Sequence, residues 1–148
     1  MKIVCLDAKD VKKVSFLFDA YRQFYGRKSN LEFAQQFLLQ RLTNNESVIF
    51  AAGKDEKEFA GFVQLYPVFS SLSMSRVWVL NDLYVKEAYR RQGIAEQLMA
   101  KVHQFGTTSG AGSIVLETAP DNTKAQELYK KLGYQRDTML HLFFDLDK

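Results

Sequence analysis

The sequence predicts one α/β domain built on a mixed, mostly antiparallel sheet that contains a parallel central pair of strands. The first observation is the length of 148 residues, which is that of one ordinary domain. The second is a composition of 47% hydrophobic and 25% charged residues, which is typical of a globular protein rather than a disordered chain. The third is the element order βααβββαβαβ, because a helix between two strands implies a parallel crossover.

In the first half of the chain, the spacing of the apolar residues predicts a strand, two helices and a β-hairpin. Gly26 ends the first helix, and Gly53 and Asp55 supply the turn of the hairpin. The predicted bounds are residues 2–6 for the strand, 10–26 and 30–42 for the helices, and 47–52 and 58–66 for the hairpin strands.

The second half predicts a loop, a long strand, a helix, a short strand, another helix and a final segment that completes the sheet. The apolar run from Val77 to Leu80 indicates that the long strand is buried on both faces. A glycine-rich stretch ends the first of these helices and Gly133 ends the second. The predicted bounds are 67–73 for the loop, 75–85 and 113–118 for the strands, 92–105 and 120–133 for the helices, and 134–146 for the final segment, as one strand or two.

The composition argues against several classes of partner. The 20 Lys and Arg are interspersed with 17 Asp and Glu, and a net charge of +3 is too small to indicate a nucleic-acid partner. No apolar run reaches the roughly 18 residues that a membrane span requires, and the charge of Asp7 comes too early for a signal peptide. We therefore expect a cytoplasmic protein. The single Cys5 and two distant histidines predict neither an internal disulfide nor a metal site.

The segment most informative about chemistry joins the long strand to the helix after it. The helix begins among small residues that leave backbone amides uncovered, and free amides at a helix N-terminus attract anions. Two arginines just before it add positive charge. We predict a cradle for a pyrophosphate there, and an alternative is that the arginines are solvated and the glycine only tightens the turn. The cradle residues are Arg90, Arg91, Gln92, Gly93, Ile94 and Ala95.

Two motifs carry a resemblance to a known family. Arg90-x-x-Gly93-x-Ala95, placed after a strand, resembles the acyl-CoA signature of the GCN5-related N-acetyltransferase (GNAT) family. Residues 122–134 resemble that family's Asn-x-x-Ala-x-x-Leu-Tyr-x-Lys-Leu-Gly-Phe/Tyr segment. The resemblance extends over essentially the whole chain, although residues 1–75 match mainly by element order. It implies the GNAT fold, acetyl-CoA as cosubstrate, and a single N-acetyltransferase domain over residues 1–148.

A narrower resemblance concerns the acceptor. Tyr21, Phe24 and Tyr25, with the segment Asn-Asp-Leu-Tyr-Val at residues 81–85, are similar to the small-amine, polyamine or histone acetyltransferases of the family. The resemblance implies a small-molecule amine or a peptide lysine as acceptor and does not choose between them. The oligomeric state stays open, with a homodimer as one option.

The family resemblance also implies where acetyl-CoA binds. Its pantetheine arm enters a gap where the two parallel strands splay apart, and it pairs with the backbone of Leu83, Tyr84 and Val85. A backbone amide of that stretch would polarise the thioester carbonyl, a role worth several kcal/mol in other acyl transfers. Asn122 would contact CoA as well as cap its helix, although Thr123 with Gln126 offers a competing capping box.

Two side chains are candidate catalytic residues. The resemblance places Tyr129 beside the CoA sulfur, where a phenol supplies the proton that a departing thiolate needs; the alternative is a packing tyrosine. Asp82 lies in an otherwise apolar strand, where a carboxylate is costly unless it is paired or functional. It would bind or deprotonate the acceptor ammonium, with Glu117 or water as alternatives. Neither a metal nor a covalent enzyme intermediate is required.

A rival hypothesis is a non-catalytic module that binds acyl-CoA as a sensor or regulator. Such a module needs the cradle but neither Tyr129 nor Asp82. The presence of both residues favours an enzyme.

Overall fold

A computed structural model describes residues 1–147. The chain divides into two compact units, Met1–Glu117 and the residues from Thr118 onward, and each is described by itself. The first unit contains β1 (Lys2–Cys5), α1 (Val11–Phe24), α2 (Leu31–Thr43), β2 (Val48–Gly53), β3 (Gly61–Ser70), β4 (Ser75–Val85), α3 (Ile94–Thr108) and β5 (Ser113–Leu116), with short 3₁₀ turns at Ala8–Asp10 and Glu87–Tyr89.

The five strands form one sheet in the order β1-β2-β3-β4-β5. The first three pairs are antiparallel and β4 pairs with β5 in parallel, which confirms the predicted mixed sheet. The β4–β5 pairing runs from Val77 opposite Ser113 to Leu80 opposite Leu116 and then stops. Residues 81–85 of β4 therefore extend beyond the end of β5. That the two strands splay apart to admit CoA, as the family resemblance implies, stays a prediction.

Helices cover both faces of the sheet. Ile49 and Ala51 of β2 belong to a buried cluster with residues of α1 and α2. Phe50, which lies between them and so points to the other face, places its ring 5.4 Å from that of Phe105 in α3. Burial of each large apolar side chain contributes roughly 1.5–3 kcal/mol, so the apolar layers on the two faces stabilise the packing of the helices on the sheet. The cluster on the α1–α2 side comprises Leu6, Val11, Val14, Leu17, Phe18, Ala34, Leu38, Ile49, Ala51, Phe59 and Phe62.

The predicted loop at residues 67–73 is wrong at its start, because β3 continues to Ser70. Beyond Leu65, β3 pairs only with β4, so this part of β3 is an edge. Pro67 lies opposite Trp78 in that part, where a residue without a backbone N–H is tolerated. The start of β3 also differs: it begins at Gly61, three residues later than predicted.

Smaller differences occur around the last helices. Helix α3 begins at Ile94 rather than Gln92, with Gly93 as its N-cap, and β5 ends at Leu116 rather than Thr118. These shifts are within the usual uncertainty of element ends.

The second unit contains the helix α4, Thr123–Lys131, which is followed by Gly133 at φ +96°. The predicted strand at residues 134–146 is wrong, since none of these residues lies in a strand. Their apolar side chains include Leu140, Leu142 and Phe143, each at least 90% exposed. Apolar residues favour a strand, but a strand forms only where an edge pairs with it. As a result β5, predicted to be central, is the last strand of the sheet.

Among residues 1–147, no helix is long and apolar enough to cross a membrane.

Candidate active site

The site is organised by an irregularity in β4. Leu80 lies opposite Leu65 and Asp82 lies opposite Gln64, so Asn81 is an extra residue on β4 with no counterpart on β3. Such β-bulges locally interrupt the ladder and are frequent next to active sites. This bulge lies just after the last β4–β5 pair, at the point where β4 separates from β5.

Asp82 is a buried carboxylate surrounded by hydrogen-bond donors. Its side chain is 2% exposed. Its Oδ1 accepts a hydrogen bond of 2.8 Å from Nδ2 of Asn81, and its Oδ2 accepts one from Nε2 of Gln64. Burial raises the pKa of the Asp82 carboxyl, and the hydrogen bonds from Gln64, Asn81 and Tyr21 oppose that rise. Asp82 thus holds a proton more readily than an exposed aspartate, as a general base requires.

Two tyrosines face this carboxylate. Burial, followed by the negative charge of Asp82, raises the pKa of both Tyr21 and Tyr66. Both phenols therefore stay protonated and remain donors. The hydroxyl of Tyr21 donates to the backbone oxygen of Asn81 at 3.2 Å, which joins α1 to the bulge.

Asp82 lines a pocket of about 290 Å³ that lies entirely within the first unit. Aromatic rings form most of its wall, and two arginines, Asn81 and Asp82 supply its polar groups. The rings of Tyr21 and Tyr25 meet at 5.1 Å, and those of Phe18 and Phe37 stack at 5.8 Å. The lining residues are Phe18, Tyr21, Arg22, Tyr25, Arg27, Phe37, Tyr66, Asn81 and Asp82.

Leu83, Tyr84 and Val85 continue β4 from this pocket. One edge of the three residues pairs with Val63, Phe62 and Gly61 of β3. Within the first unit, no strand pairs with their other edge. The backbone oxygen of Val85 accepts a hydrogen bond from Arg90, and the pairing of Leu83, Tyr84 and Val85 with acetyl-CoA, which the family resemblance implies, stays a prediction.

Residues 90–93 of the predicted cradle form an exposed turn between β4 and α3, whereas Ile94 and Ala95 already lie in the first turn of α3 and Ile94 is buried. Arg91 at φ +64° and Gly93 at φ +78° both adopt the left-handed conformation. Gly93 is the N-cap of α3 and has no side chain with which to cap the first amides. A Cβ added at Gly93 would meet no atom within 4 Å, so open space lies beside it. This arrangement suits an anion.

Arg90 is not simply a solvated turn residue. Its Nε donates to the backbone oxygen of Val85 at 2.9 Å. Its guanidinium also lies 5.6 Å from the ring centres of both Phe24 and Tyr84. Arg90 therefore fastens the cradle turn to the end of β4 and to α1.

The other two predicted site residues lie in the second unit. Asn122 caps α4, since its Oδ1 accepts from the backbone N of Ala125 at 3.3 Å. The competing capping box is wrong, because the amide of Gln126 donates to the backbone oxygens of residues 119 and 120 instead. The ring of Tyr129 lies 5.7 Å from that of Tyr134. The roles of Asn122 and Tyr129 toward acetyl-CoA stay predictions.

Sequence reasoning missed four polar residues of this region: Gln64, Tyr66, Arg22 and Arg27. The sequence does contain a signal for Gln64, because it is a polar residue between the apolar Val63 and Leu65 of a strand. The structure buries it fully, and a buried amide needs hydrogen-bond partners. Its Oε1 has no hydrogen-bond partner among the described residues. No pattern marks the arginines, which reach the pocket only through the packing of α1.

Within residues 1–147, no three His, Cys, Asp or Glu side chains lie together in a way that could bind a metal ion.

Comparisons with known proteins agree with this geometry. A family profile described as the acetyltransferase (GNAT) family matches residues 14–134. A Bacillus subtilis protein named uncharacterized N-acetyltransferase YhfO is 41% identical over 138 residues, which are 93% of this chain and 92% of that protein. A probable acetyltransferase of Haemophilus influenzae is 34% identical over 80% of this chain and 82% of its own length.

A solved structure gives the same result. The crystal structure of a probable acetyltransferase superposes with a TM-score of 0.94 at 38% identity, over 100% of this chain and 99% of that one. The mixed sheet and these matches lead to one conclusion: the chain belongs to the acetyltransferase (GNAT) family and is an acetyl-CoA-dependent N-acetyltransferase.

Proposed function

We propose that this N-acetyltransferase acetylates a primary amine held in the Asp82 pocket, by direct attack of the amine in a ternary complex. The observation that carries the proposal is the buried Asp82 carboxylate, which no cationic side chain within residues 1–147 neutralises by a salt bridge. The hydrogen bonds from Gln64, Asn81 and Tyr21 reduce the cost of burying the charge without removing it, since the pKa of the Asp82 carboxyl is still raised, so a cationic ligand would stabilise the ionised form. An ammonium group is a suitable partner.

The chain's residues would act in three ways. Asp82 accepts a proton from the bound ammonium, because only the neutral amine attacks a thioester. Backbone amides of Leu83, Tyr84 or Val85 donate to the carbonyl oxygen as negative charge develops on it. Tyr129 gives its proton to the leaving thiolate as the new C–N bond forms and the C–S bond breaks, and the proton that the acylated nitrogen loses passes through solvent to restore the Tyr129 phenol.

Acetyl-CoA, the cosubstrate of this family, supplies the activated acetyl thioester. The turn at residues 90–95 fits its pyrophosphate, since left-handed backbone at Arg91 and Gly93 and uncapped amides at the start of α3 suit an anion. Asn122 would contribute a further contact.

We also infer that residues 1–148 act as one N-acetyltransferase domain. The family match over residues 14–134 supports this inference, because it includes parts of both compact units. A homodimer stays an open prediction.

The test is a panel of polyamines, amino acids, aminoglycosides and histone peptides, assayed for CoA release and for the acetylated product by mass spectrometry. We expect acetylation of at least one amine class, and strongly reduced acetylation by Asp82→Asn protein that still binds CoA. If the wild type binds acetyl-CoA yet acetylates no amine, the pocket is not an amine site and the sensor hypothesis gains support.

A further inference from the structure

The lining of the Asp82 pocket includes one acidic and two basic side chains that form no salt bridge with one another. Asp82 is the acidic residue in its lining, and Arg22 and Arg27 are the basic ones. Among residues 1–147, no salt bridge joins Asp82, Arg22 or Arg27 to an opposite charge. Asp82, Arg22 and Arg27 thus line the same pocket, and the Asp82 carboxylate lies farther from both guanidinium groups than a salt bridge allows.

The two arginines are placed by the end of α1. Arg22 lies in the last turn of this helix, and Arg27 follows Gly26, whose φ of +85° ends it. One nitrogen of Arg22, Nη1, donates to the backbone oxygen of Lys28 at 3.3 Å, which fixes the guanidinium beside the loop. A guanidinium has five N–H donors, so most of those on Arg22 remain for a ligand.

Two other charged residues of the same region, Asp19 and Arg41, do not line the pocket. Asp19 is buried, and its carboxylate accepts hydrogen bonds from Ser29 Oγ at 2.6 Å and from the backbone N of Asn30 at 2.8 Å. Arg41, which lowers the pKa of Tyr66, is paired with Glu46 at 3.1 Å. The net charge of the pocket lining is therefore set by one carboxylate and two guanidiniums.

We propose that the acceptor carries an anionic group as well as its amine, as a small amino acid does, and that Arg22 and Arg27 bind that anion while Asp82 receives the amine. The inference rests on the proposed function of the Asp82 pocket. Guanidinium groups bind carboxylates through paired hydrogen bonds. A pocket of about 290 Å³ suits a small molecule of this kind.

The same charges select against polyamines. A diamine that presents one ammonium to Asp82 would direct its second ammonium toward two guanidiniums, and that like-charge contact lowers its affinity. Arg22 and Arg27 are thus specificity-determining residues.

The experiment uses acceptors that differ only at the end remote from the reacting amine. One series is γ-aminobutyrate, n-butylamine and putrescine; a longer series is ε-aminocaproate, n-hexylamine and hexamethylenediamine. In each series the remote end is anionic, neutral or cationic. We expect kcat/KM to fall in that order, by about tenfold from the anionic to the neutral member, which is the effect of one charge-assisted hydrogen bond.

Variants identify the residues responsible. Arg22→Gln and Arg27→Gln should each raise KM for the anionic acceptor about tenfold and should not raise KM for the acceptor with a neutral remote end, because that acceptor has no anion for the arginine to bind. Arg22→Lys should keep part of the preference, because it keeps the charge. Lys54→Gln is the matched control, since it removes one positive charge from an exposed turn outside the pocket. Calorimetric titration of each acceptor into CoA-saturated protein measures binding independently of turnover.

The outcomes distinguish this inference from the proposed function. If amines are acetylated with equal efficiency whatever their remote charge, or if diamines are preferred, the inference is overturned and the proposed function stands. If no member of either series reacts and none binds, both fail for these amines. If the anionic preference survives both glutamine variants, the arginines are not its source and the inference is wrong.

Discussion

Replacing Asp82 by asparagine tests the catalytic proposal most directly, because it removes the charge and keeps the shape. In the variant, an NH2 group replaces one of the two carboxylate oxygens, both of which accept hydrogen bonds in the wild type. If the NH2 group takes the place of Oδ2, it faces the donor Nε2 of Gln64. Rotating the Gln64 amide by half a turn presents its Oε1, which has no partner, to that nitrogen. The number of buried unpaired groups then stays the same, and we expect the free energy of unfolding to change by no more than about 1 kcal/mol.

Turnover should respond far more strongly. A positioned general base contributes roughly 10²–10⁴-fold, so kcat/KM at neutral pH should fall by about that factor while acetyl-CoA affinity is kept. The shape of the pH profile should change as well. Wild-type kcat/KM should reach a plateau above the raised pKa of Asp82. The kcat/KM of the variant should instead rise about tenfold per pH unit up to the pKa of the amine, near 10.4, because the variant captures only neutral amine.

The stability of the protein supplies a second pH test. The pKa of Asp82 is raised above 3.8 by folding, so the folded state holds this proton more tightly than the unfolded state. The contribution of Asp82 to the free energy of unfolding of the wild type therefore falls as pH rises from about 3.8 through the raised pKa. The Asp82→Asn variant lacks that decline, and thermal melts should show it gaining stability relative to wild type across this interval.

Asp19→Asn is the matched control. Asp19 is also buried, yet it accepts hydrogen bonds from Ser29 and Asn30 and does not line the pocket. We expect it to lower the melting temperature and to keep the plateau of the pH profile. Superimposable profiles for wild type and Asp82→Asn would show that solvent or another group removes the proton.

Three further predictions concern other residues. Gly93→Val should raise the calorimetric Kd for acetyl-CoA about tenfold or more, whereas Gly110→Val, also at positive φ with no atom near its Cβ position, should leave it unchanged. Tyr129→Phe should lower the single-turnover rate roughly 10²–10⁴-fold without changing that Kd; an unchanged rate would rule out this acid. Gly61→Ala places a Cβ 2.9 Å from the backbone of β4, so denaturant titrations should show a loss of about 1–3 kcal/mol in the free energy of unfolding. In the control Gly106→Ala, the new Cβ meets only a side chain, at 3.0 Å, and the free energy of unfolding should stay close to that of the wild type.

Local sequence determined the features that depend on neighbouring residues. Asn30 and Asn122 cap α2 and α4 by accepting from backbone amides three residues ahead, and Gly26 and Gly133 follow their helices at positive φ. The turn before α3 is also local, since the sequence places two arginines and a glycine at the helix start. These interactions form within a few residues, so they could be read from the sequence together with the order of the elements.

Tertiary structure decided what depends on distant pairing. Residues 67–70 continue β3 because β4 pairs with them, and residues 134–146 form no strand because apolar composition does not supply a pairing edge. The pocket is the clearest case. Its bonds join Gln64 to Asp82 across 18 positions and Tyr21 to Asn81 across 60, and Arg22 and Arg27 reach it from the end of α1. The sequence marked Asp82 as unusual, but only the packing of α1 on the β4 bulge placed aromatic residues and two arginines in the lining of its pocket, because side chains far apart in the chain meet only through the fold.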